Sequence, residues 1–311
     1  MSLFSTRWIC RAIAVNACVL GAALFAGEKI AEISVSQPKD LFPESITSLK
    51  DGTLILGSVP GGVYKIKPGE TEVKPFIARE GNGFTTVLGV FAEEKANTLW
   101  VCNTGPGVLK AFDLGTGMAK GSYPMPQGAV CNDIAVDDNG TAYASDTAGG
   151  KLFMLKQGAS ALEEAVADPL LAGADGLAFG DKTTLYVNSV TANKLIRVDL
   201  GSDGKSKKIT ELKLSGPLGA PDGLRAIGKN KFVQAENGNA ARMGGRLALV
   251  IVDPKTNMAT IKTLKDGMLA TPATTATKGM AWVVEGKQDY RNGKNKGQDP
   301  TPYKLYPVKL P

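Results

Sequence analysis

A short segment of β-type sequence returns at a fixed spacing along this chain of 311 residues. The clearest copies read TLWVCNT, TAYASDT and TLYVNSV and begin at Thr98, Thr141 and Thr184. Each has an aromatic residue at its third position, and these aromatic residues follow one another every 43 residues. Three weaker copies lie at Leu54–Val59, Phe232–Gly238 and Ala281–Gly286. Six copies of one unit constrain the fold strongly, because each must pack on its neighbours in the same way.

The residues around each copy indicate hairpins. A tight-turn sequence such as Asp51-Gly52 precedes the copy, and an alternating strand that begins with Gly or Asn follows it. One such meander cannot bury both of its faces alone, whereas six in a ring can. The sequence therefore predicts an all-β protein, a six-bladed β-propeller of four-stranded antiparallel blades around a central channel. We expect Lys29–Ser36, which precedes the first copy, to pair with the last blade and close the ring.

The N-terminus resembles an export signal. Two arginines precede a 15-residue apolar run, Ala12–Ala26, which is too short to span a bilayer. We predict a signal peptide over residues 1–26, cleaved after Ala23 or Ala26, and a single propeller domain over residues 27–311. The protein would then be exported, to the periplasm or the medium; an uncleaved anchor is the alternative. No later segment is apolar enough to predict a membrane span.

Composition excludes several function classes. The chain has no histidine, which removes a Ser-His-Asp triad, a histidine base and the usual zinc sites. The net charge of +6 is small and the basic residues are scattered along the chain, so nucleic acid is not an expected partner. We expect a monomer that binds a small molecule. Outside the predicted signal, Cys102 and Cys131 permit one disulfide or two buried thiols, and the sequence leaves both open.

Polar side chains stand where the first strand of four blades begins. They are Glu44, Asn132, Asp175 and Asp222. Each alone is compatible with an ordinary turn residue. However, residues in register with the blades converge at the propeller axis, and three carboxylates cannot share one site without a cation. Calcium accepts carboxylate and amide oxygens at six to eight positions, so we predict a Ca²⁺ site, with another divalent metal as the alternative.

A second set of polar residues stands at the ends of the second strands. We predict these as substrate-binding side chains, with ordinary polar strand ends as the alternative. They are Asn103, Asp146, Ser189, Glu236 and Glu285.

These motifs resemble the senescence marker protein/gluconolactonase family, which includes regucalcin, and the related calcium-dependent propellers diisopropyl fluorophosphatase and paraoxonase. The resemblance rests on Pro-Glu at Glu44, Asn-Asp at Asn132, Asp-Gly-Leu at Asp175 and Pro-Asp-Gly-Leu at Asp222. It implies a six-bladed propeller that holds a divalent metal through these four residues. The chain departs from gluconolactonases at Val130, where they carry arginine. The resemblance therefore supports the metal site more strongly than it supports a particular substrate.

The resemblance and the carboxylate ring together predict a metal-dependent lactonase or esterase, with Asp222 as the catalytic base or nucleophile. One alternative is a non-catalytic propeller that binds a ligand or protein and uses calcium structurally. Another is a metal-free synthase of the strictosidine-synthase type, against which the three carboxylates argue.

Overall fold

Residues 30–239 and 244–311 are described by the computed structural model, in which six antiparallel sheets succeed one another along the chain. The predicted signal peptide, residues 1–26, lies outside the described residues. The first fourteen strands are β1 (Ile33–Val35), β2 (Pro43–Ser48), β3 (Leu54–Ser58), β4 (Val63–Ile66), β5 (Lys74–Ile77), β6 (Val87–Glu93), β7 (Thr98–Asn103), β8 (Val108–Asp113), β9 (Ala119–Pro124), β10 (Cys131–Val136), β11 (Ala142–Asp146), β12 (Lys151–Leu155), β13 (Glu163–Ala167) and β14 (Ala174–Phe179). The later strands are β15 (Thr184–Ser189), β16 (Lys194–Leu200), β17 (Ser206–Glu211), β18 (Lys213–Leu214), β19 (Pro221–Gly228), β20 (Lys231–Glu236), β21 (Gly245–Asp253), β22 (Met258–Met268), β23 (Ala273–Thr277), β24 (Met280–Val284) and β25 (Tyr303–Lys309).

The sheets are the six predicted blades. Blades one to four are β2–β5, β6–β9, β10–β13 and β14–β17, and blade five is β19–β22 with β18 added parallel to β22. Blade six has the order β1-β25-β24-β23, so that β1 is its outermost strand. Ile33 pairs with Leu305 and Val35 pairs with Tyr303. The predicted propeller and the predicted closure of its ring are both confirmed.

The innermost strands surround the channel. Each of β2, β6, β10, β14, β19 and β23 contacts the innermost strand of the blades on both sides. Residues from all six line one cavity of about 230 Å³, among them Thr47, Phe91, Leu177 and Thr275. Two short helices interrupt the strands, a 3-10 turn (Pro169–Leu171) and α1 (Gln288–Asn292). No helix in residues 30–239 and 244–311 is long and apolar enough to cross a membrane.

Hydrophobic side chains fill the gap between each pair of blades. Tyr143 of blade three, for example, packs with Leu177 and Val187 of blade four, and all three are at most 1% exposed. Tyr186 packs with Phe232 of the next blade, with ring centroids 5.1 Å apart. The repeated aromatic residue therefore joins one blade to the next, which explains its regular spacing.

A disulfide joins Cys102 of β7 to Cys131 of β10, with the two Cα atoms 5.2 Å apart. The bond links blade two to blade three, and Thr104 Oγ1 reinforces it by donating to the Cys131 carbonyl at 2.6 Å. Of the two states that the sequence left open, the structure contains the disulfide.

Candidate functional site

The four predicted metal ligands lie in interruptions of the strand pairing. The register between first and second strand breaks in blades one, three, four and five, and each break contains one of the four residues. The residues are Glu44, Asn132, Asp175 and Asp222. A β-bulge bends the strand and redirects a side chain, so it turns a polar group at a strand entrance toward the axis. Blade two has the same break around Leu88, which has no polar atom in its side chain.

Three of the four side chains are joined by hydrogen bonds. Asn132 Nδ2 donates to Asp175 Oδ2 at 3.0 Å, and the Asp175 and Asp222 carboxyl groups share a hydrogen bond. Asn132 Nδ2 also donates to Thr147 Oγ1 at 2.9 Å, and Asn237 Nδ2 donates to Asp222 Oδ2 at 2.7 Å. Residues from three consecutive blades thus meet at one end of the channel.

Glu44 faces the same charges from blade one. Its Oε2 accepts a hydrogen bond of 2.8 Å from Gln288 Nε2, at the start of α1. Its negative charge acts on both Asp175 and Asp222. Glu44, the fourth predicted ligand, therefore interacts electrostatically with the other carboxylates, but its hydrogen bond is to Gln288 and not to them.

Burial raises the pKa of all three carboxyl groups, and neighbouring negative charges raise those of Asp175 and Asp222 further. Burial, the largest cause, raises the pKa of Glu44 to about 7. Burial, followed by the charges of Asp133 and Glu44, raises the pKa of Asp175 to about 8. The pKa of Asp222 lies well above its ordinary value because of burial and then the charges of Asp175 and Glu44. Full ionisation of the three groups at neutral pH therefore requires a compensating positive charge.

The buried Arg225 does not provide that charge by direct contact. Its Nη1 and Nη2 donate to the two oxygens of Asp133 at 2.6 and 2.8 Å, which forms a closed pair across the channel. Arg225 is 7% exposed and Asp133 is 5% exposed. The carboxyl groups of Glu44, Asp175 and Asp222 are left with amide partners.

The donor set fits a hard divalent cation. It consists of carboxylate and amide oxygens, and both hydrogens of the Asn132 amide nitrogen already have acceptors, which leaves the amide oxygen as a ligand. Within the described ranges, no three His, Cys, Asp or Glu side chains are grouped closely enough to hold a metal as they stand. The direct carboxyl contact is the one between Asp175 and Asp222, while Glu44 is bound by Gln288.

The five side chains predicted to contact substrate are at most 3% exposed. Four of them bind the loop that leads into the first strand of their own blade. Three accept a backbone N–H: Asn103 Oδ1 from Thr85 (3.1 Å), Asp146 Oδ1 from Val130 (2.8 Å) and Glu236 Oε2 from Gly219 (2.7 Å). The fourth, Ser189 Oγ, donates to the carbonyl oxygen of Ala172 at 2.6 Å. Glu285 accepts from the Tyr306 hydroxyl at 2.7 Å. Four blades thus repeat one hydrogen bond, which fixes the loop that leads into the first strand. Contact of these residues with substrate stays a prediction.

The structure adds site residues that sequence reasoning missed. Asn237 and Gln288 each bind one of the carboxylates, and both follow the second strand of their blade. Asn237 stands next to the predicted Glu236, so extending the search by one residue would have found it. Nothing in the repeat indicates Gln288, because it belongs to a connection found only in blade six among the described blades.

Comparison with solved structures identifies similar folds. A virginiamycin B lyase from Staphylococcus aureus superposes with a TM-score of 0.61 at 14% identity, over 82% of this chain and 81% of the lyase. A gluconolactonase from Xanthomonas campestris gives 0.61 at 16% identity, over 85% of each chain. A calcium-binding regucalcin from Agrobacterium tumefaciens gives 0.60 at 14% identity, over 87% of this chain and 92% of the regucalcin.

These similarities confirm the predicted resemblance to gluconolactonase and regucalcin propellers at the level of the fold. No protein-family model matches the sequence, and no curated protein is similar to it in sequence. At identities of 12–16%, the neighbours do not specify which reaction this chain performs.

Proposed function

We propose that this protein is a calcium-dependent hydrolase that opens a small lactone or a related ester. One observation carries the proposal: Glu44, Asp175 and Asp222 lie at one channel end, burial raises the pKa of each, and neighbouring negative charges raise those of Asp175 and Asp222 further. Such a group favours a divalent cation, and a chain without histidine has carboxylates as its principal acid–base groups near neutral pH.

Each residue has a defined part in this proposal. Glu44, Asn132, Asp175 and Asp222 would hold the ion through oxygen atoms. A bound calcium ion supplies positive charge that stabilises a developing oxyanion. Asn237 orients Asp222 through the 2.7 Å bond to Oδ2, so that the other oxygen accepts the proton of an attacking water or itself attacks the carbonyl carbon.

The structural neighbours support a hydrolase over a lyase. One of them is described as a gluconolactonase and another as a calcium-binding regucalcin. A virginiamycin B lyase with a histidine-to-alanine change is described as catalytically inactive, and this chain has no histidine to supply an equivalent group.

The test is hydrolysis of aldonolactones and acyl lactones by the purified protein from residue 27 onward, with calcium and after chelation. We expect activity with calcium, loss after chelation, and at least a hundredfold lower kcat for Asp222→Asn. Glu72→Gln, an exposed site outside the ring, serves as the matched control and should keep full activity. Full activity of Asp222→Asn would overturn the role of Asp222.

A second candidate is a non-catalytic propeller in which calcium is structural. Two features favour it: Val130 stands where gluconolactonases carry arginine, and the predicted substrate-binding side chains are bound to protein groups. Hydrolysis of no lactone, together with a calcium-induced rise in Tm that Glu44→Gln abolishes, would favour this candidate.

We also propose that the protein is exported, since the N-terminal sequence has the pattern of a signal peptide and the chain has a disulfide. N-terminal sequencing of the protein recovered outside the cytoplasm should give a start after Ala23 or Ala26. A start at residue 1 in the recovered protein would contradict cleavage.

A further inference from the structure

One blade has an insertion at the mouth where the carboxylates lie. In blades one to four, four residues connect the second strand to the third, for example Thr147–Gly150. In blade six this connection runs from Glu285 to Pro302 and contains α1. Second strands end where first strands begin, so the insertion stands at the channel end that holds Glu44.

The insertion is fixed in place by its own contacts. Lys287 Nζ donates to the carbonyls of Pro300 and Pro302 at 2.8 and 2.6 Å, which draws its two ends together. Asn295 Nδ2 donates to Asp289 Oδ2 at 2.6 Å. Side chains on α1 are therefore held at defined positions beside the site.

One side chain of α1 contacts a carboxylate, and a second lies on the same face of the helix. Gln288 reaches Glu44 Oε2 at 2.8 Å, and Arg291, three residues later, lies on the same face of the helix. The positive charge of Arg291 also favours the ionised form of Glu44. Gln288 and Arg291 thus project from one face of α1, on the side that contacts Glu44.

Within residues 30–239 and 244–311, no side chain or backbone group forms a hydrogen bond or ion pair with Arg291, although this residue is partly buried. The acid in the same turn, Asp289, is bound by Asn295 instead. Lys287, the other cation at the base of the helix, is bound to two carbonyls. Among the described residues, the five donors of the Arg291 guanidinium therefore have no acceptor.

The net charge of the site determines which substrate groups Arg291 can bind. Three carboxylates and one divalent ion leave one net negative charge, which would repel an anionic substrate. Arg291 cancels that charge and presents a planar fork that matches a carboxylate. With that charge cancelled, the site no longer repels a carboxylate monoanion, and the guanidinium can bind its two oxygens through parallel hydrogen bonds.

We infer that Arg291 binds a non-reacting carboxylate of the substrate, so that the preferred substrate is a lactone or ester that carries a separate carboxylate group. This inference rests on the proposed hydrolase function and names its substrate class. Arg291 is a specificity residue here, and the bond-breaking step stays with Asp222 and the ion.

The first experiment compares two lactones of the same sugar skeleton, a neutral aldonolactone and an aldarolactone with a free carboxylate. Wild type should have the higher kcat/KM for the aldarolactone. Arg291→Gln should lower that value roughly 10–100-fold, mainly through KM, and change the aldonolactone value less than about twofold. Lys294→Gln removes the same charge from an exposed position in the same insertion and should change neither substrate.

The second experiment needs no turnover. Calorimetry measures the affinity of the calcium-loaded protein for an aldarate, with two carboxylates, and for an aldonate, with one. Wild type and Lys294→Gln should prefer the aldarate roughly tenfold or more, and Arg291→Gln should lose that preference.

The outcomes separate the two proposals. Hydrolysis of both lactones with equal values in wild type and Arg291→Gln would overturn the role of Arg291 and leave the hydrolase standing. Absence of hydrolysis with an aldarate preference that depends on Arg291 would remove the hydrolase and keep the carboxylate site. A preference that Lys294→Gln also abolishes would overturn a specific site at Arg291.

Discussion

The amide nitrogen of Asn132 lies 3.0 Å from Oδ2 of Asp175, across the boundary between blades three and four. The two residues are 43 positions apart in sequence, which is one repeat, and both lie in interruptions of the strand pairing. Equivalent positions of adjacent blades are therefore close enough to share one ligand. This contact shows that side chains in register along the repeat come together at the channel.

The stability of the metal-free protein should fall as pH rises from about 4 to about 8. The folded protein keeps protons on Glu44 up to about pH 7 and on Asp175 up to about pH 8, while the unfolded chain releases them near pH 4. The unfolded state then binds fewer protons, and the free energy of unfolding decreases with pH. We expect a loss on the order of a few kcal/mol, measured by urea unfolding after chelation.

Calcium should remove this trend, since the ion favours the ionised carboxylates. Saturating calcium should therefore flatten the profile, and Glu44→Gln should reduce the metal-free slope. Glu72→Gln, at an exposed position, should retain both effects. A metal-free stability that rises between pH 5 and 8 would contradict the shifted carboxyl groups.

Much of this site was predictable because register is a property of the repeat. Glu44, Asn132, Asp175 and Asp222 each stand where the first strand of a blade begins, and the bulges carry all four. The hydrogen-bond partners were not predictable, since they depend on loops outside the repeat. Gln288 lies 244 residues from Glu44, and no local pattern connects the two.

The predicted substrate-binding side chains show the limit of the same reasoning. Asn103, Asp146 and Glu236 each pair with the first residue of the first strand in their blade, and each binds a backbone N–H of the loop before that strand. Polar type and register identify such a set but do not distinguish a ligand-binding group from one that satisfies a buried amide. That distinction requires the path of the loop.

Gly176→Ala should weaken both stability and calcium binding. A Cβ at Gly176 would stand 2.1 Å from the carbonyl oxygen of Asp222, so the entrances of blades four and five would have to separate. Overpacking of this kind costs roughly 1–3 kcal/mol. Thermal unfolding and calcium titration measure the two effects.

The control is Gly216→Ala, where an added Cβ has no atom within 4 Å. It should leave stability and calcium affinity unchanged. Equal behaviour of Gly176→Ala and wild type in both measurements would show that the blade entrances tolerate separation.

The disulfide should stabilise the fold and hold Asn132 in place. Cys131 immediately precedes Asn132, and its partner Cys102 anchors it to blade two. Replacing both cysteines with alanine should lower the free energy of unfolding by roughly 3–4 kcal/mol, as expected for a closed loop of this size. Calcium affinity should fall as well, because Asn132 loses its fixed neighbour.

Reductant provides the matched comparison for that variant. It should weaken the wild-type protein toward the value of the double-alanine variant and leave the variant itself unchanged. Undiminished calcium affinity in the variant would contradict a role of the disulfide in positioning Asn132.

The Arg225–Asp133 pair should be strongly coupled energetically. Both side chains are at least nine-tenths buried, and two hydrogen bonds of 2.6 and 2.8 Å join them. Removal of either partner leaves the other charge buried without compensation, which costs roughly 3–5 kcal/mol. The double change Asp133→Asn with Arg225→Gln should therefore cost less than the sum of the single changes, by urea unfolding.

The exposed pair Lys194–Glu211, with a similar distance of 2.7 Å, should show a coupling below about 1 kcal/mol. Additive single changes at Arg225 and Asp133 would mean that water, and not the partner, satisfies these charges in the channel.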